Sequence, residues 1–254
     1  MKVTVTKRIG FYEIDADYEL RLKPLLNVMQ EAAAAHSDRA GYSTAELLAG
    51  GRAWVLHRMV LQVHRPPALG DELSVTTWHK GSRGFRSYRD FEIFAEDEKL
   101  VSAASLWLLI DTGRKRILKV PPDVPERYGA EEIDGLEVNI DQWKPDLGFE
   151  PDISVPVAVR PSDYDPLGHV NNALYFDYLE TLMEKALGQP EKKGRLAIEF
   201  NKEIPPGVDS IAAGLKTRDS GFIFKLASSD AVHAAGEFRP ENGTVPPNGQ
   251  DGNG

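Results

Sequence analysis

The chain concentrates its reactive side chains in one stretch, Ser162-Asp163-Tyr164-Asp165-Pro166-Leu167-Gly168-His169-Val170-Asn171-Asn172. Two carboxylates, an imidazole and two carboxamides stand here in a turn that leads into a helix. An imidazole moves protons near pH 7, and a carboxylate four residues earlier, Asp165, would hold its tautomer. The same residues could equally do no more than cap the helix, with Asn at its start and acids at its positive end. A second candidate is Glu203, in Glu199-Phe200-Asn201-Lys202-Glu203-Ile204. Strand alternation would put Glu199, Asn201 and Glu203 on one face. A glutamate at a strand end is often simply solvated, but this one stands just before Pro205-Pro206, where a strand must stop.

The elements that would position these groups read as two similar halves. A helix is predicted from about Leu22, with Leu25, Met29, Ala32, Ala33 and His36 at helical spacing and Gly41 as a stop. Strands are predicted at 53–65, 72–79, 86–95 and 99–110, with turn chemistry at Pro66-Pro67, Gly70-Asp71 and Gly81-Ser82-Arg83-Gly84. Residues 121–154 hold ten acids and two bases among many Pro and Gly, and read as a linker. The pattern then restarts. A strand at 155–160 precedes a helix whose apolar face is Tyr175, Tyr178, Leu179, Leu182, Met183 and Ala186, capped by Asn171 or Asn172 and stopped by Gly188. Strands follow at 195–204, 210–217, 221–228 and 231–238, and residues 240–254 read as a disordered tail.

Pro205-Pro206 repeats the place of Pro66-Pro67, and Glu180 that of Glu31, so the halves (1–120 and 155–239) read as a tandem duplication. The expected class is α+β. A helix with one apolar face packs on a curved antiparallel sheet in each half, the arrangement called a hot dog, and the two sheets join into one continuous sheet.

Composition narrows the chemistry. The 254 residues carry a formal net charge of −9, which argues against nucleic-acid binding. There is no cysteine, which removes disulfides, Cys-ligated zinc and a cysteine nucleophile, and no metal or cofactor is expected. No apolar run suggests a membrane span and no secretory signal is visible, so a cytoplasmic protein is expected. Taken alone, residues 1–120 carry +3.

These motifs together resemble the acyl-acyl carrier protein thioesterases of plants and bacteria. Their D-x-D-x-N-x-H-V-N-N segment stands here as Asp163, Asp165, Leu167, His169, Val170, Asn171 and Asn172, and their L-E-Y-x-x-E-C setting as Ile198 to Ile204 with Glu203 at the glutamate. In the first half, Trp54-Val55-Leu56-His57-Arg58-Met59, Leu69-Gly70-Asp71, Ala104 to Leu109, Arg114-Lys115-Arg116-Ile117 and Lys119-Val120-Pro121 match further family segments. Leu167 replaces the family's active-site asparagine and Ile204 its cysteine.

The resemblance implies hydrolysis of fatty acyl thioesters on acyl carrier protein. Glu203 would be base or nucleophile, His169 with Asp165 would position water or thioester, and the helix-opening N–H groups of Asn171 and Asn172 would bind the oxyanion. Asn171 or Asn201 would stand in for the missing asparagine. The first half has no histidine in Ala16-Asp17-Tyr18-Glu19-Leu20-Arg21-Leu22, so one site per chain is expected. That half would supply an acyl tunnel lined by Met29, Ala32, Ala33, Trp54, Leu56 and Met59. The carrier is acidic, so two basic runs are its expected dock: Lys80, Arg83, Arg86 and Arg89, and Arg114, Lys115, Arg116 and Lys119. An acyl-CoA thioesterase, a hot-dog dehydratase or hydratase, and a non-catalytic acyl-binding module are the alternatives; a homodimer is compatible with all of them.

Overall fold

The computed structural model describes residues 1–241, which fall into two units that divide after Gln142. Unit 1 runs β1 (Lys2–Arg8), a 3₁₀ turn (Phe11–Glu13), α1 (Leu22–Arg39), α2 (Thr44–Ala49), β2 (Arg52–Val63), β3 (Glu72–Arg83), β4 (Arg86–Ala95), β5 (Glu98–Asp111), β6 (Arg116–Leu118) and α3 (Val124–Arg127). Its strands pair antiparallel in the order β1-β3-β4-β5-β2, with β6 on β5. Helix α1 buries the predicted stripe Leu25, Met29, Ala32, Ala33 and His36 against this sheet. The order of β2 is broken once, between Leu56 and Arg58. That extra residue, His57, lets Leu56 and Met59 fall on one buried face although they are three apart.

Unit 2 contains β7 (Ile153–Ala158), a 3₁₀ turn (Pro161–Asp163), α4 (Leu174–Leu187), β8 (Gly194–Phe200), β9 (Ser210–Arg218), β10 (Gly221–Ala227) and β11 (Val232–Pro240). Its order is β8-β11-β10-β9-β7. Read from the strand that follows the helix, both units list their strands as second, fifth, fourth, third and first, which is the duplicated hot-dog unit the sequence suggests. Gly188, at φ +85°, ends α4 in the left-handed region that a side chain resists.

The segment expected to be a linker is tied down by hydrogen bonds at several points. Its first part lies on unit 1: Trp78 Nε1 donates to Ile133 O at 2.9 Å, Gly135 N to Asp90 Oδ2 at 2.9 Å, and Tyr88 Oη to Asp141 Oδ2 at 2.7 Å. Its second part lies on unit 2, with Trp143 Nε1 donating to Glu237 Oε1 at 3.0 Å and Lys225 Nζ to Phe149 O at 2.7 Å. The segment is thus a strap held through its backbone, its Trp143 indole and the Asp141 carboxylate. Of the expected tail, Pro240 closes β11 and Glu241 pairs with Lys193 at 2.7 Å; the rest lies outside the described residues. Among the described residues no helix is long and apolar enough to cross a membrane.

Candidate active site

The cluster at 162–172 is a tight loop closed by its own backbone. Tyr164 and Val170 form an isolated antiparallel bridge, Asp165 N–H donates to His169 O at 2.9 Å, and Gly168 N–H donates to Asp165 O at 2.9 Å. Gly168 sits at φ +80° with open space around its Cα, so the requirement for glycine is one of backbone angle and not of room. Asp165 Oδ1 accepts from Leu167 N–H at 2.8 Å, which leaves Oδ2 facing His169 Nδ1 at 3.5 Å. That separation is long for a hydrogen bond but suits an electrostatic partner that orients the ring through Nδ1. The loop hangs on Asp163, only 2% exposed, whose carboxylate accepts from Arg160 N–H (2.9 Å), Arg160 Nε (3.1 Å) and Tyr178 Oη (2.7 Å). Burial, and then Asp163, push the Tyr178 phenol well above its ordinary value, so it remains a donor.

Glu203 is not on a strand. β8 ends at Phe200, so the alternation expected for Asn201 and Glu203 does not apply; Asn201 is exposed and Glu203 half-buried. The backbone here is clamped from both sides. On one side the N–H groups of Asn201 and Lys202 donate to His233 O at 2.8 and 3.3 Å, and the buried His233 ring holds Lys202 O through Nδ1 at 3.1 Å. On the other, Val170 N–H donates to Ile204 O at 3.2 Å and Tyr164 Oη to Pro205 O at 3.2 Å. The Tyr175 phenol lies against the same turn. Burial first, and the Glu203 charge besides, raise its pKa, while the Ile204 N–H opposes them. The Val170–Ile204 bond joins the residues that directly follow His169 and Glu203, so one hydrogen bond fixes the two backbones beside each other.

Of the two oxyanion donors expected at the helix start, the Asn171 N–H is committed elsewhere. α4 begins at Leu174, not at Asn171. Asn171 N–H donates to Asp163 O at 3.1 Å, and the N–H groups of Leu174, Tyr175 and Phe176 close tight i→i−3 bonds on Asn171, Asn172 and Ala173. The Asn171 side-chain oxygen accepts from Ala173 N–H at 2.8 Å, a bond of the turn before α4; the residue at the N-cap is Ala173, without a side-chain cap, and not Asn171 or Asn172. Leu167 is 37% exposed beside this loop. Among the described residues no group of three or more His, Cys, Asp or Glu is arranged to hold a metal.

In unit 1, Met29, Ala32, Ala33, Leu56 and Met59 are buried together in the helix–sheet core. Trp54 is set apart: it packs on a satellite core that includes Tyr42, Leu109 and Tyr128. Arg83, Arg86, Arg114, Lys115 and Arg116 are exposed as a dock requires. Arg89 is not; it is 6% exposed and donates to His36 Nδ1 at 2.9 Å and Thr77 Oγ1 at 3.1 Å, because inward-facing β4 positions alternate with outward ones. Lys80 is tied to Asp90 at 3.5 Å and to Asp134.

Arg89 belongs to a buried polar cluster that sequence reading missed. His36 Nε2 meets Tyr128 O at 3.0 Å, and His79 Nε2 meets Ser82 and Ser87 Oγ at 3.0 Å each. Burial first, and Arg89 second, push His36 down to about 4 and His79 to about 3, so both rings are neutral at pH 7. A histidine inside the apolar stripe of α1 was the only visible signal.

The model of the acyl-ACP thioesterase N-terminal domain matches residues 2–128, and that of the C-terminal domain matches residues 150–238. The chain is 28% identical over 261 residues to a chloroplastic palmitoyl-acyl carrier protein thioesterase of Cuphea hookeriana, covering 93% of this chain but 62% of that protein. It is 26% identical to a chloroplastic dodecanoyl-[acyl-carrier-protein] hydrolase of Cinnamomum camphora, covering 93% and 67%. The fold matches that of an acyl-ACP thioesterase from Bacteroides thetaiotaomicron at a TM-score of 0.81, with 20% identity and coverage of 94% and 97%. It also matches that of a 12:0-ACP thioesterase from Umbellularia californica at 0.78, with 22% identity and coverage of 94% and 96%. With both domain models matched in order across most of its length, the chain belongs to the acyl-ACP thioesterase family.

Proposed function

We propose that this chain hydrolyses the thioester of fatty acyl chains carried on acyl carrier protein, releasing free fatty acid and ending chain elongation. The observation that carries the reading is the Val170–Ile204 hydrogen bond, which sets the His169 and Glu203 backbones side by side. In the base form of the reaction, Glu203 takes a proton from water as the water oxygen attacks the thioester carbonyl. The carbonyl electrons move onto oxygen, then return as the C–S bond breaks, and the thiolate leaves with its electron pair. In the nucleophile form, the Glu203 carboxylate attacks first and water resolves the resulting anhydride. His169, oriented by Asp165, polarises the carbonyl or positions the water. The Asn171 side-chain oxygen is taken by Ala173 N–H, so its amide NH₂ is the group that assists.

Unit 1 holds the acyl chain in this reading and unit 2 carries the chemistry. The cytoplasmic setting and homodimer assembly belong to the same reading. The experiment is thiol release from acyl carrier substrates of graded chain length, for wild type and Glu203→Gln. The expected loss on substitution is about 10²–10⁴-fold with the fold retained; unchanged turnover in the variant would remove Glu203 from the mechanism. Leu167, which offers no hydrogen bond where relatives of the motif have asparagine, favours a second reading as an acyl-binding protein. Tight acyl binding by wild type without thiol release would select it.

A further inference from the structure

The two basic runs of unit 1 lie far apart in sequence but meet in the structure. Strand β6 pairs with β5 from Leu109 to Asp111, just beyond the point where β4 ends its pairing at Arg86↔Leu108. The chain leaving β6 then touches the β3–β4 hairpin, where Val120 N–H donates to Gly84 O at 2.9 Å. The hairpin tip, with Arg83 and Arg86, is therefore adjacent to the β5–β6 turn and strand, with Arg114, Lys115, Arg116 and Lys119.

The charges on this surface are not balanced. Arg86 pairs with Asp141 at 3.0 Å, and Arg116 lies 3.8 Å from Asp111. Arg83, Arg114 and Lys119 have no carboxylate partner among the described residues. Amid these cations Phe85 is 53% exposed at the hairpin tip and Ile117 50% exposed on β6. A groove of about 500 Å³ opens beside Phe85, floored by Asn139, Asp141 and Gln142 of the strap. Solvent-exposed Phe85 and Ile117, on segments that also carry the three uncompensated cations, make a small apolar centre with a charged rim, the layout of a protein interface.

We propose that this corner of unit 1 is where acyl carrier protein docks, with Phe85 and Ile117 as the apolar centre and Arg83, Arg114 and Lys119 as the rim that meets its acidic surface. The proposal rests on the reading that the substrate is carrier-bound. It shifts the expected dock away from Lys80 and Arg89, which are engaged within unit 1, and onto the hairpin tip and β6.

The test is the triple variant Arg83→Glu/Arg114→Glu/Lys119→Glu, beside the matching triple lysine or arginine exchange that keeps the charge. Two readouts are taken. The first is kcat/KM for one acyl chain presented on acyl carrier protein and on pantetheine. The second is calorimetric binding, at low and high salt, of a carrier bearing a non-hydrolysable acyl amide, which needs no catalysis. The charge-reversed variant should lower the carrier-to-pantetheine ratio of kcat/KM at least about tenfold, through KM, and lose the salt dependence of binding, while the charge-keeping variant stays near wild type. A ratio unchanged from wild type would overturn the proposal, as would an equal fall on both substrates. Wild type that binds the amide carrier tightly but releases no thiol would leave the dock standing and sink the hydrolytic reading. Wild type that hydrolyses acyl-pantetheine without binding the carrier would do the reverse.

Discussion

The loops that open the two helices have the same backbone and different chemistry. In unit 1, Glu13 N–H donates to Gly10 O, Asp15 N–H to Glu19 O, Tyr18 N–H to Asp15 O and Arg21 N–H to Glu13 O, at 3.0, 2.9, 3.2 and 2.9 Å. In unit 2 the same four bonds run from Asp163, Asp165, Gly168 and Asn171, at 2.9, 2.9, 2.9 and 3.1 Å. A fifth bond ties each loop to the turn after the next strand, Leu20 N–H to Pro67 O and Val170 N–H to Ile204 O. By this correspondence Glu19 occupies the place of His169, Asp17 that of Leu167 and Pro66 that of Glu203. Proline can neither take a proton nor attack a carbonyl. The frame is thus kept by Glu13 or Asp163 and by Asp15 or Asp165, while the reaction depends on positions that the frame leaves free to vary.

Four comparisons between the units separate frame from chemistry, in order of expected size. His233 and Leu100 hold equivalent places, each carbonyl accepting two N–H groups of the turn that carries Glu203 or Pro66. His233→Ala should lower kcat by about 10²-fold by letting Glu203 drift, with KM little changed. Leu100→Ala should cost stability and leave kcat alone, because nothing catalytic follows it. Equal effects on kcat would break the comparison.

Asp163→Ala should next destabilise the fold by about 1–3 kcal/mol in urea titrations, since it strips Tyr178 and Arg160 of a buried partner. Glu13→Ala should cost less, because Glu13 is half-buried and binds only Gly10 N–H and the exposed Lys7. Tyr18 takes φ +62° where unit 2 has Gly168. Tyr18→Gly should raise the unfolding midpoint by up to about 1 kcal/mol, and Gly168→Ala should lower it by a similar amount.

The smallest effect is acid sensitivity confined to unit 1. His36 and His79 have folded pKa values near 4 and 3, below the unfolded value. Their contribution is complete above pH ~6.5 and declines as pH falls toward those values, because the unfolded chain binds the protons first. Asp90, raised to about 6 chiefly by burial, works the other way and offsets part of the loss. Hydrogen exchange should therefore show unit 1 amides losing protection between pH 7 and 6 by less than about 1 kcal/mol, and His36→Gln should flatten that slope. Equal loss in both units would contradict the assignment.

The duplication was legible because helix stripes, proline pairs and glycine stops are local signals. Both predicted helices and all nine predicted strands appear within a few residues. Four features were not legible, and each depends on distant partners. β1 shows its role only in pairing with β3. The strap looked like a linker because its partners are distant in sequence: Trp78 for the Ile133 carbonyl, and Tyr88 and Arg86 for Asp141. Arg89 looked like surface charge because its partner His36 is 53 residues away. Glu203 was expected to be placed by strand alternation, but it lies beyond the strand end in a turn clamped by His233, Val170 and Tyr164. The family motif supplied its chemical role, which burial and spacing alone would not have given.

The central claim is that each chain has one working site, in unit 2. Thiol release from an acyl-acyl carrier protein, compared between His169→Gln and Glu19→Gln, tests it most directly. A loss of about 10²–10⁴-fold for His169→Gln with Glu19→Gln near wild type is the predicted result. Comparable losses in both, or none in His169→Gln, would contradict it.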